Sequence, residues 1–178
     1  KIVDDETGKV CAPGEPGIVW MRMGAQDFEY KGDKSKTDES HDAEGFFTVG
    51  DVGYLNEDGF LFLCDRKSDM IIAGGVNIYP AEIEGEISAH PQVADVAVFG
   101  IPDEDMGEQI KAVIEPMEGI AADDALRASI MEHIQGRLAK FKWPRTVDFV
   151  DELPREPTGK LLKRTLRDPY WADRQTAI

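Results

Sequence analysis

The chain has 178 residues, 42% hydrophobic and 31% charged, enough for one domain or two small ones with modest cores. Twenty basic residues against thirty-five acidic leave a net charge of −15, which argues against a sequence-independent grip on nucleic-acid phosphates or an anionic membrane. No apolar run approaches the ~20 residues needed to cross a bilayer, and Lys1 to Gly8 hold no signal-peptide core. Cys11 and Cys64 stand far apart without histidines at metal-ligand spacing, so neither a disulfide framework nor a zinc site is signalled and a cytoplasmic protein is expected. The chain starts on Lys1 rather than Met, and it is read as a fragment.

In chain order, Pro13-Gly14-Glu15-Pro16-Gly17 is a breaker cluster that no helix tolerates, and the partial alternation of Ile18 to Met23 predicts β structure. Asp27 to Glu44, polar and densely charged, predicts an exposed loop. Tyr54-Leu55 and Phe60-Leu61-Phe62-Leu63 flank Asn56-Glu57-Asp58-Gly59, where glycine supplies the positive φ that closes a short hairpin. The charged run Asp65 to Asp69 separates two β-rich stretches and places a domain boundary near Ser68. Pro80 suits a first helical turn, Ile83 and Ile87 recur at i, i+4, and His90-Pro91 should end that helix. Val93 to Phe99 and Ile110 to Ile114 read as neighbouring buried strands. Asp123 or Asp124 caps a longer helix whose Leu126, Ile130, Ile134 and Leu138 form one apolar stripe, and Thr146 to Val150 is a final strand. The order helix, strand, strand, helix, strand predicts a small α+β layer.

Charge is unevenly spread. Through Asp65 six basic residues face fifteen acidic, a net of −9, whereas Lys140 to Arg167 hold eight against four, a net of +4. A local positive region suits an anionic small-molecule site or simply a solvated basic face.

Three local patterns can carry chemistry. Asp51, after Gly50 and just before the hairpin, can accept two hydrogen bonds from a pair of ribose hydroxyls, or can be a turn aspartate bonded to its own backbone. Arg66 offers a planar fork of donors beside the paired Gly74 and Gly75, which admit a close-approaching ligand; alternatively the arginine pairs with Asp65 or Asp69 and the glycines only make a turn. Pro154 to Gly159 form a loop that cannot be helix, with Lys160 at its end as a point charge on a long stem, or as an ordinary surface lysine.

Taken together, Gly50-Asp51-Val52-Gly53-Tyr54-Leu55, Asp65-Arg66-Lys67, Gly74-Gly75-Val76-Asn77-Ile78-Tyr79-Pro80-Ala81-Glu82-Ile83-Glu84 and Pro157-Thr158-Gly159-Lys160 closely resemble the later motifs of the adenylate-forming acyl-CoA synthetases, from about Gly17 to Arg167. Leu166 to Trp171 also looks like the tail of bacterial fatty-acyl ligases of this group. The resemblance implies that residues 1–67 are the β-barrel-like end of a large N-terminal domain. Residues 68–178 would be a small mobile C-terminal domain, a three-stranded sheet packed by helices plus a β-hairpin. The phosphate-binding loop would lie in the upstream domain, leaving this chain inactive alone.

The implied enzyme adenylates a carboxylic acid, with a fatty acid expected, releases pyrophosphate, and then forms the CoA thioester with release of AMP. Its small molecules are the acid, ATP with Mg2+, and CoA, with no metal ligand from this chain. By the same likeness Asp51 and Arg66 match the residues that hold the ATP ribose, and Lys160 the lysine that enters for adenylation. Gly74 and Gly75 match the border of the CoA tunnel, and Ser68 the hinge. Two positions depart from the pattern: the hinge is more usually Asp or Lys, and Val49 stands where many relatives carry Thr. The alternatives are an adenylation domain that loads a carrier protein, and a non-catalytic interaction module that retains the fold.

Overall fold

The structure, a computed structural model, describes residues 1–24 and 28–172. It divides into two compact units, Lys1–Ser68 and Asp69–Ile178.

The first unit is built on an antiparallel sheet of four strands in sequence order: β1 (Ile2–Val3), β2 (Gly17–Val19), β3 (Asp51–Leu55) and β4 (Leu61–Arg66). Ile2, Ile18, Val19 and Val52 are its buried apolar side chains. The β3–β4 hairpin forms where the turn signal placed it: Leu55 faces Leu61, Asn56 N–H donates to the Phe60 carbonyl at 3.0 Å, and Gly59 takes φ +82°. Tyr54 and Phe62 stack across the pair with centroids 5.2 Å apart.

The stretch expected to be a loop from Asp27 to Glu44 contains a six-residue helix, α1 (Lys34–Glu39); Asp27 itself lies outside the described residues. Asp33 caps α1 by accepting the Lys36 N–H at 3.0 Å. No residue of α1 is buried, so there was no apolar periodicity to reveal it. Phe28 packs on Tyr30, His41 and Phe47, giving this polar region an aromatic anchor.

In the second unit the predicted order of helix, strand, strand, helix and strand is present as α2 (Pro80–Ser88), β7 (Val93–Asp103), β8 (Gly107–Pro116), α3 (Asp124–Ile134) and β9 (Thr146–Phe149). The expected extra hairpin is β5 (Ile71–Ala73) with β6 (Val76–Ile78). It joins the same sheet through Ala73 opposite Gly107, giving five strands in which β8 is central. One edge of β8 pairs antiparallel with β7 over its whole length; the other takes β5 at Gly107 and β9, in parallel, from Lys111 to Ile114.

Both faces of β8 are covered, which is why Ile110 to Ile114 reads as a continuous apolar run broken only by Lys111. Ile110, Ala112 and Ile114 face α2 and α3 in the larger core, with Ile83, Ile87, Leu126, Ile130 and Ile134. Val113 joins Ala97, Phe99, Ile101 and Leu153 in a second cluster, against which Leu166 of α4 (Lys163–Trp171) packs. Each fully buried Ile contributes ~1.5–3 kcal/mol relative to an exposed one.

Asp123 is the cap of α3, its carboxylate accepting the Leu126 N–H at 3.0 Å. The apolar stripe outlasts the helix: α3 stops at Ile134, Gln135 turns extended, and Gly136 takes φ +82°. Leu138 is nonetheless buried, returned to the core by a turn in which its N–H bonds the Ile134 carbonyl at 3.1 Å. Among the described residues, no helix is long and apolar enough to cross a membrane.

Candidate functional site

Asp51 opens β3 and Arg66 closes β4, and hairpin register sets them opposite one another. Arg66 Nε lies 3.5 Å from Asp51 Oδ1, so the arginine reaches across the sheet to Asp51. Its main-chain N–H donates to the Asp65 carboxylate at 2.8 Å. The Arg66 side chain is 60% exposed and that of Asp51 25%, and so loose an exposed pair holds both groups only weakly. A carboxylate acceptor beside a forked donor is a surface that a vicinal diol can bond. Gly50, at φ +80°, turns the chain into β3, and its carbonyl accepts the Lys67 N–H at 2.8 Å. Ser68 sits in a 3-10 turn, Lys67–Asp69, as the last residue of the first unit.

In the second unit Gly74 and Gly75 take φ +59° and +77° and form the two-residue turn between β5 and β6. A two-residue turn with both φ positive is the kind that glycine pairs favour, so the turn alone accounts for these residues. A Cβ on Gly74 would meet the end of Met106 at 2.5 Å; one on Gly75 would meet nothing within 4 Å. Gly74 and Met106 open onto a groove of about 440 Å³ that also takes in Glu108, Met131, Phe141 and Trp143. Burial pushes the Glu108 carboxyl above its ordinary value, opposed by a bond from the Ile72 backbone and by Arg167. Sequence reasoning missed this groove, since its walls come from four separate stretches of chain.

Lys160 follows a tight hairpin. Gly159 N–H donates to the Glu156 carbonyl and Glu156 N–H to the Lys160 carbonyl, both at 2.8 Å, while Gly159 takes φ +86°. Pro157 presets the second position of this turn and Gly159 supplies its left-handed residue. Lys160 is exposed, and among the described residues its ammonium has no ion-pair partner.

The structure therefore brings Asp51 and Arg66 together, and it separates Lys160 from the glycine turn. The Lys160 hairpin is tied to Asp95, which pairs with Glu115 near one end of the β7–β8 ladder. Gly74 bonds Met106 at the other end, beyond the Asp103–Gly107 pair. Asp103 lies eight residues beyond Asp95 along β7, roughly 25 Å at ~3.3 Å per residue. Among the described residues no group of three or more His, Cys, Asp or Glu side chains is arranged to hold a metal ion.

Residues 82–160 match the family described as AMP-binding enzyme C-terminal domain. The chain is 39% identical over 173 residues to the fatty acid--[acyl-carrier-protein] ligase ScoC of Streptomyces coeruleorubidus, covering 97% of this chain and 32% of that protein. It is 44% identical over 128 residues to the long-chain-fatty-acid--CoA ligase FadD13 of Mycobacterium tuberculosis, covering 72% of this chain and 25% of that one. ATP-bound MatB from Rhodopseudomonas palustris superposes with a TM-score of 0.84 at 38% identity, over 97% of this chain and 33% of MatB. The chain thus spans about a third of the length of these relatives or less. From motif to fold these likenesses agree, and the chain belongs to the adenylate-forming ligase superfamily, matching its C-terminal portion.

Proposed function

We propose that this chain is the C-terminal part of an ATP-dependent acid–CoA ligase acting on a fatty or other carboxylic acid. Residues 1–67 end the large domain and residues 68–178 are the small domain that pivots at Ser68. The observation that carries the reading is the roughly 25 Å of strand between the ends that hold Lys160 and the Gly74–Gly75 turn. One reaction centre cannot use both at once, whereas a two-step ligase needs them in turn.

In the first step a carboxylate oxygen attacks the α-phosphorus of ATP, a P–O bond to pyrophosphate breaks, and an acyl-adenylate forms. The attacked phosphorus is ringed by negative oxygen, and the Lys160 ammonium offsets charge on both the entering and the departing group. At an effective dielectric near 20, a unit charge ~4 Å from another contributes ~4 kcal/mol, several hundredfold in rate if realised mainly in the transition state. Asp51 accepts bonds from the ribose hydroxyls, and Arg66 donates to the same sugar. Mg2+ enters with ATP and neutralises phosphate charge. In the second step the glycine turn borders the path of the CoA thiol, which attacks the acyl carbonyl and expels AMP. Open space beyond Gly75 and the groove beside Gly74 support this placement.

The likeness to a ligase named for an acyl-carrier protein favours a second reading, in which the acyl group goes to a carrier thiol. Offering free CoA against a phosphopantetheinyl carrier protein separates the two. The central test is Lys160→Ala in the complete ligase. Pyrophosphate exchange should fall several hundredfold, while CoA attack on supplied acyl-adenylate stays largely intact. Equal loss of both half-reactions would remove the role given to Lys160.

A further inference from the structure

We propose that Arg155 is a positioning residue for Lys160, its guanidinium tying the tip of the lysine's hairpin to strand β7. The inference deepens the adenylation reading of Lys160 and rests on it. Arg155 Nη1 donates to the Gly159 carbonyl at 2.6 Å, and Nη2 pairs with the Asp95 carboxylate. One planar group thus joins the residue immediately before the lysine to a strand that is hydrogen-bonded along its length. The base of the hairpin is set by the Arg155–Leu161 bridge and by Leu162 N–H donating to the Pro154 carbonyl at 2.8 Å. On the far side, Lys163 pairs with Glu84 of α2 at 2.7 Å, and Glu84 also accepts the Val98 N–H at 2.7 Å. Those contacts hold the hairpin's stem. Arg155 alone of these side chains bonds the tip.

An exposed ion pair by itself adds little to stability, and these side chains are 42% (Arg155) and 28% (Asp95) exposed. What distinguishes Arg155 is its second bond, to a main-chain carbonyl one residue from the ammonium that must be aimed. The stem of Lys160 is long and rotatable, so the position of its Cα limits where the charge can be delivered. A misplacement of ~1 Å at a reacting group can cost about 100-fold. Lysine at 155 would be a point donor and could not span both partners in the plane of a fork.

The clamp is tested first on the 178-residue chain by 15N relaxation. In the unsubstituted chain Gly159 and Lys160 should have order parameters near ~0.85, and in Arg155→Ala these should fall below ~0.6 while Val98 and Ile114 stay rigid. Unchanged values at Gly159 and Lys160 would overturn the proposal. The second test uses the complete ligase with dodecanoate, or the member of an acid panel that supports exchange. Arg155→Ala should lower kcat of ATP–pyrophosphate exchange about 10- to 100-fold with little change in KM for ATP, leave CoA attack on supplied acyl-adenylate intact, and be poorly rescued by Arg155→Lys. In a Lys160→Ala background the same substitution should add nothing, because it acts through the lysine. An additive double variant, or equal loss of both half-reactions, refutes positioning. If Lys160→Ala itself left exchange unimpaired, the assignment of the lysine would fail, and the relaxation result would still decide the clamp.

Discussion

The Lys111 side chain, on the central strand β8, is only 5% exposed, yet its ammonium lies 2.6 Å from Asp148 of β9 and 5.1 Å from the ring centre of Tyr170 on α4. At an effective dielectric near 20 the pair attracts by about 6 kcal/mol before desolvation, and breaking a buried pair from one side typically costs ~3–5 kcal/mol. Asp148 is 55% exposed and the Tyr170 ring stays in place, so the cost of Asp148→Ala is scaled down to about 2–3 kcal/mol. Lys111→Met removes the buried charge and keeps the apolar stem, leaving Asp148 able to hydrate; its cost should be within about 1 kcal/mol. The double variant should resemble Lys111→Met. Urea unfolding of the chain followed by tryptophan fluorescence reads this order, since Trp143 and Trp171 both lie in the second unit. A Lys111→Met variant as unstable as Asp148→Ala, or an Asp148→Ala loss below about 0.5 kcal/mol, would refute the claim that an unpaired buried ammonium is the dominant cost.

Two further outcomes are expected. Gly53→Ala would set a Cβ 2.5 Å from the Phe62 carbonyl oxygen and 3.2 Å from Val19 Cγ2; neither backbone nor β-branched side chain yields cheaply, so β3 and β4 must part and the first unit should lose ~2–3 kcal/mol in urea unfolding. A loss indistinguishable from zero would mean the strands relax freely. His90, 5% exposed and bonded to Ser129 Oγ at 3.0 Å, is held below its ordinary 6.5 by burial and then by repulsion from His133. The unfolded chain therefore takes up that proton first, and His90's contribution, full above pH 6.5, falls as pH drops from 6.5 toward the folded value. The raised Glu108 acts oppositely, losing stability as pH rises from 4.5, and Asp4 and Asp42, lowered by bonds from Thr7 and Lys1, lose theirs only below 3.8. Subtracting the stability profile of His90→Gln from that of the native chain isolates the histidine; a flat difference between pH 5 and 7 would remove its role.

Residues close in sequence were the legible ones. Pro80 starting α2, Asp123 capping α3, Gly59 closing the β3–β4 hairpin and the buried runs of β7 and β8 all follow from rules that act within a few residues. The candidate residues Asp51, Arg66, Gly74, Gly75 and Lys160 could be picked out because their motifs are contiguous. The polar helix α1 could not, having no apolar face, and Leu138 was assigned to a helix that Gln135 and Gly136 end.

The positive region from Lys140 to Arg167 shows the boundary between the two kinds of information. Its net charge of +4 is a property of the sequence, but folding places Glu82 against Lys142, Glu84 against Lys163, Asp103 against Arg145 and Asp95 against Arg155. The excess is thereby largely met by carboxylates from α2 and β7, some 40 to 80 residues earlier in the chain. The sequence by itself determined the family motifs, the capped elements and the residue types available for chemistry. The tertiary structure decided that Arg66 turns to Asp51, that Met106 and Trp143 share a groove with Gly74, and that Arg155 grips the loop before Lys160. Local patterns record backbone preference and burial periodicity, whereas a side chain's partner depends on strand register and packing between distant segments.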